Sequence, residues 1–88
     1  MKTSIIITGS GVKSKSTLLN AIPCYQSQVK ELNFNNYKID FKSKKEAVKA
    51  LTEAYKKLKA DPETKDQLWY SRNSSLSFDA GTATIEEL

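Results

Sequence analysis

The stretch from Tyr37 to Ala60, YKIDFKSKKEAVKALTEAYKKLKA, decides how this chain folds. Its first five residues alternate apolar and polar, which is the period of a strand with Tyr37, Ile39 and Phe41 on the core face. The period then changes. From about Lys44 to Ala60 the apolar residues Ala47, Val48, Leu51, Ala54, Tyr55 and Leu58 recur at steps of three and four. That spacing gathers them into one stripe of an amphipathic helix. Ser43 stands where an N-cap is needed and Glu46 follows three residues later, so together they can satisfy two open backbone donors of the first turn. Pro62 stops the helix.

Thr3 to Thr8 is a β-branched run and reads as a strand. Ser16 to Ile22 fits either a short helix or a second strand. Within the ambiguous Pro23–Phe34 stretch a strand is placed near Gln28–Leu32. Beyond the main helix, Asp61-Pro62-Glu63-Thr64 can cap a short helical turn through about Leu68. Ser74–Asp79 and Thr82–Glu86 read as a hairpin about Ala80-Gly81. A two-residue loop sets Phe78 opposite Ala83 and Leu76 opposite Ile85; a three-residue loop with Gly81 left-handed is the alternative. The expectation is a single α+β domain over residues 1–88. One main amphipathic helix packs on a small, mostly antiparallel sheet with a C-terminal β-hairpin.

Composition narrows the chemistry. A chain of 88 residues has room for one small core and little for a deep pocket. It contains no histidine, which excludes a Ser-His-Asp triad, a Cys-His pair and a His-ligated zinc. Cys24 is the sole cysteine, so no internal disulfide or cysteine-rich metal site can form. Burial as a small apolar residue is its ordinary role. The longest apolar run is Ile5-Ile6-Ile7, too short for a bilayer span or a secretory leader. These features read as a cytoplasmic, non-membrane protein without metal, cofactor or enzymatic machinery.

Ile5-Ile6-Ile7-Thr8 runs into Gly9-Ser10-Gly11-Val12-Lys13-Ser14-Lys15-Ser16-Thr17. This segment resembles the Walker A loop of P-loop nucleotide-binding proteins, with Gly9, Lys15 and Ser16 at matching positions. The resemblance implies loop amides around phosphates, Lys15 on the terminal phosphates and Ser16 on magnesium. Ser14 departs from the pattern, standing where the family has its second glycine. No apolar strand ending in a magnesium-binding Asp follows. The same residues also read as a Gly/Ser/Lys connection between two elements, or as a loop touching nucleic-acid phosphates.

The net charge of +4 conceals a split. Residues 1–60 hold twelve lysines against Glu31, Asp40, Glu46 and Glu53, a net of +8, and residues 61–88 carry a net of −4. With Leu51 at the centre of the buried stripe, Lys45, Lys49 and Lys56 cluster on one flank of the helix. Glu53 is placed to pair with Lys57 or Lys49. Lys38 and Lys42 lie on the strand face opposite the core residues, and Lys13 and Lys15 in the first loop. These lysines read either as a solvated surface or as a phosphate-neutralising one. Arginine, suited to bidentate base reading, occurs only as Arg72. Trp69 and Tyr70 beside Arg72 read as an interface or stacking hot spot, or with Trp69 closing the core. Glu86-Glu87-Leu88 reads as a solvated end.

The functional expectation is a small non-enzymatic binding module. It contacts nucleic acid or a nucleoprotein complex through Lys13, Lys15, Lys38, Lys42, Lys45, Lys49, Lys56, Trp69, Tyr70 and Arg72. The alternative is a protein-binding modulator or inhibitor, of the kind phages and mobile elements encode, docking on an acidic protein surface. Degenerate P-loop nucleotide binding is the remote alternative.

Overall fold

The computed structural model of the chain describes residues 3–24 and 26–87. Met1, Lys2, Tyr25 and Leu88, the last of which the sequence reading placed in a solvated end, lie outside the described residues. Eight elements follow in order: β1 (Thr3–Gly9), α1 (Val12–Ala21), β2 (Val29–Glu31), β3 (Tyr37–Phe41), α2 (Lys44–Ala60), β4 (Leu68–Ser71), β5 (Ser75–Phe78) and β6 (Gly81–Glu87). The strands form one six-stranded sheet in the order β2-β3-β1-β6-β5-β4, and each neighbouring pair is antiparallel. This is the expected α+β architecture.

β1 sits between β3 and β6; β3 lies between β1 and β2, which α1 joins, and β1, β6 and β5 lie between β3 and β4, which α2 joins. The β4–β5 hairpin is inserted before β6 and widens the sheet at that edge. Alternation explains the layering. Ile5, Ile7, Ile39, Phe41, Leu76, Phe78 and Ala83 all face the two helices and join one buried cluster with Leu18, Leu51 and Leu58. Among the described residues the other face of the sheet carries no helix. Across its middle it holds the half-buried Lys38, Ile6, Thr84 and Ser75 in adjacent strands.

α2 matches its expected bounds, and Ser43 caps it by accepting a hydrogen bond from the Glu46 backbone N–H at 3.3 Å. Its buried face differs in one respect. Ala47, Ala50, Leu51, Ala54 and Leu58 are buried, while Val48 and Tyr55 are half-buried. The alanines form the centre of the contact because their small side chains let the helix approach the sheet. The larger Val48 and Tyr55 occupy its margin.

The hairpin register is shifted from the expected one. Phe78 pairs with Gly81 and Leu76 with Ala83, around a two-residue Asp79-Ala80 turn. Parity is preserved, so the same residues still face the helices. Gly81 lies beneath α1, where an added Cβ would come within 3.2 Å of Leu18 Cδ1 and the Lys15 nitrogen. That close approach holds Gly81 in the strand, and Asp79 takes the positive φ of 50° instead. Aspartate tolerates that conformation better than most residues. β4 is a strand that the pattern had not marked, since only the preceding Lys65–Gln67 turn was expected.

Candidate functional site

α2 projects Lys45, Lys49 and Lys56 away from the sheet. At ~100° per residue, Lys45, Lys49 and Lys56 fall within ~40° of one another and are centred ~160° from Ala54. Ala54 is fully buried. The three lysines therefore form the outward crest of the helix and not one of its flanks. At 1.5 Å per residue the crest runs about 16 Å. Thr52 falls on the same line but leans toward β4, where its hydroxyl lies 3.1 Å from the Tyr70 hydroxyl.

Among the described residues the ion pairs are Lys30–Asp40 at 3.1 Å and Lys44–Glu87 at 3.3 Å. Lys45, Lys49 and Lys56 enter neither. The Glu53 pairing expected with Lys57 or Lys49 does not close. Exposed helix pairs contribute only a few tenths of a kcal/mol, too little to hold two long side chains together. Lys42 is exposed at the corner that leads into α2 and adds to the charge there. Beside the crest lies an open groove of about 660 Å³, bounded by Pro23, Cys24, Gln28, Phe41, Glu46, Lys49, Ala50 and Glu53. Partial burial raises the Cys24 thiol above its ordinary value of 9.0, which keeps it protonated at neutral pH.

The remaining predicted residues separate. Lys15 is 2% exposed. Its ammonium donates to the Phe34 carbonyl at 2.8 Å and to Asn36 Oδ1 at 3.0 Å, within the turn that joins β2 to β3. It is a structural lysine. Of the other positions in the segment that resembles a phosphate loop, Ser16 is half-buried, while Gly9 and Ser14 meet the β5–β6 turn. Gly9 has a φ of 137°, and a Cβ there would lie 2.1 Å from the Ala80 carbonyl oxygen. Ser14 donates its hydroxyl to Asp79 at 3.1 Å. Only Ser10 and Gly11 separate β1 from α1, which is a short connection and not a long cradle. Lys13 is exposed one residue into α1.

Tyr70 stacks on Tyr55 beneath α2, with ring centroids 4.2 Å apart and planes 10° from parallel. Trp69 points the other way and is 69% exposed on the helix-free face of the sheet. It does not close the core; its neighbours Leu68 and Tyr70 pack there instead. Lys38 shares the Trp69 face at the opposite side of the sheet, with β1, β6 and β5 between their strands. Arg72 is exposed in the β4–β5 turn.

The helix-free face is electrically balanced among the described residues, with Lys30 and Lys38 offset by Asp40 and Glu86. Asp40 is well held: the Ser4 hydroxyl at 2.8 Å, and then the Lys30 ammonium, lower its carboxyl below the ordinary 3.8. The ten predicted residues are thus spread over α2, the sheet face, the β4–β5 turn and the interior. The crest of α2 is the place where cations collect, with Glu46 and Glu53 further round the same helix. Sequence reasoning did not single out Phe34, which is 88% exposed. Its signal was faint, a lone aromatic among Asn33, Asn35 and Asn36. Comparison with known families, curated proteins and solved structures finds no match for this chain.

Proposed function

We propose that the chain is a non-catalytic binding module. It lays the α2 crest against the phosphate backbone of a nucleic acid, free or within a nucleoprotein complex. The observation that supports this is the crest itself. Lys45, Lys49 and Lys56 stand on the outward line of a capped, packed helix and have no carboxylate partners among the described residues. Lysines present point charges suited to phosphates and carry little base specificity. The expected binding is therefore sequence-tolerant and driven by counterion release.

The test is fluorescence anisotropy of a labelled mixed-sequence 20-mer, single- or double-stranded, titrated from about 50 to 200 mM salt. Three phosphate contacts give a log–log salt slope of about −2 on single strands and about −3 on duplex. K45Q/K49Q/K56Q should flatten that slope almost to zero while circular dichroism stays that of the wild-type fold. Absence of binding at the lowest salt, or an unchanged slope in the triple variant, refutes the proposal.

A further inference from the structure

The turn from Leu32 to Asn36 is built against its own preferences. Phe34 sits at φ 60° and ψ 38°, and Asn35 at φ 60°. Asparagine enters the left-handed region readily, but a bulky aromatic does so at a cost. Burial does not offset that cost, because the Phe34 ring is 88% exposed. Two devices hold the conformation. The Leu32 N–H donates to the Asn36 carbonyl at 2.6 Å and closes the turn. The buried Lys15 ammonium grips the Phe34 carbonyl and Asn36 Oδ1 from below. An interior cation is thus committed to a turn whose most apolar side chain stays in water. Leu32 is 41% exposed in the same turn. Val12, 53% exposed, lies one helical turn from Lys15 on α1.

We propose that Phe34 is an anchor that inserts into an apolar pocket of a partner protein, with Lys15 as the residue that positions it. A convex aromatic on a backbone that is already held fits a concave site with little backbone freedom left to lose on docking. Residues 32–36 contain no charge. Asn33 and Asn35 supply a neutral hydrogen-bonding rim, which suits a protein pocket and brings no cation to a phosphate. This surface is independent of the α2 crest.

The experiment replaces Phe34 with the photoreactive p-benzoylphenylalanine and irradiates the chain in extract of the cells that produce it. One major protein adduct is expected, suppressed by excess unlabelled wild-type chain. Phe34→Gly keeps the left-handed turn without the ring. It should melt no lower than wild type yet compete about tenfold or more weakly. Its salt-dependent binding to the 20-mer should be unchanged, which separates this surface from the crest. Lys15→Met, checked for folding by circular dichroism, should also compete weakly. The proposal is overturned by equal competition from Phe34→Gly, by adducts solely with nucleic acid or with a second copy of the chain, or by the absence of a competable adduct.

Discussion

Replacing Lys15 with methionine asks whether a buried ammonium with two neutral acceptors holds this fold together. Methionine keeps the unbranched stem and much of its packing, so the change removes mainly the charge and its hydrogen bonds. The structure gives two, at 2.8 Å to the Phe34 carbonyl and at 3.0 Å to Asn36 Oδ1. A hydrogen bond to a charged group contributes about 1.5–3 kcal/mol net of desolvation. Phe34 is exposed and Asn36 half-buried, so the freed acceptors can rehydrate in part and recover some of the loss. The expected destabilisation is therefore about 2–3 kcal/mol, at or just below the bottom of the ~3–6 kcal/mol two-bond sum. In a domain of this size that lowers the melting temperature by roughly 10–20 °C. Urea unfolding followed by circular dichroism measures it, with an unchanged m-value expected. Hydrogen exchange should quicken at the Leu32 amide, which bonds to Asn36 across the turn. A lysine in an open phosphate loop behaves differently, since surface substitutions stay within about 0.5 kcal/mol. A neutral or stabilising Lys15→Met, with the Leu32 amide still protected, would refute the reasoning. It would mean that burying the cation costs as much as its bonds return.

Two further outcomes follow from close contacts and charge. Gly81→Ala puts a methyl 3.2 Å from Leu18 Cδ1 and from the Lys15 backbone nitrogen, so α1 has to shift. A loss of about 1–2 kcal/mol in urea unfolding is expected, and a gain would contradict the tight seating of α1 on β6. Asp40 has a folded pKa below its unfolded value, so its contribution is fully present above that unfolded value and disappears as pH falls through the folded one. The stability difference between wild type and Asp40→Asn should shrink as pH falls below the ordinary carboxyl value of 3.8. A difference that stays constant over that fall would show that the Ser4 and Lys30 contacts do not favour the ionised carboxyl.

Much of the scaffold was legible because its signals are local. Ser43, Glu46 and the three- and four-residue apolar steps defined α2 to within its observed ends. The alternation of Tyr37, Ile39 and Phe41 defined β3 and the face it buries. The lysines of α2 were legible as a cluster, but their place on its crest was not. It depended on Ala50 joining Ala47 and Ala54 at the contact, and that follows from how closely the helix approaches the sheet. β4 was missed because Leu68-Trp69-Tyr70-Ser71 is too short to show a period of its own. It becomes a strand by pairing with β5. The hairpin register was misplaced because Gly81 was read as a turn residue, when its lack of a side chain accommodates α1.

What the chain determined by itself was the α+β class, the main helix and its cap, the absence of histidine chemistry and the uneven distribution of charge. Each follows from residue type and short-range period, which any folded state must respect. Tertiary structure decided which charges and aromatics are available. Lys15 and Lys13 are two residues apart, yet one is buried beneath the β2–β3 turn and the other is exposed. Trp69 and Tyr70 are adjacent, yet lie on opposite faces of the sheet. The reason is geometric. Neighbouring strand residues point to opposite sides, and a turn distant in sequence arrives over one particular helical side chain. Such outcomes depend on long-range pairing, which no local window of sequence contains.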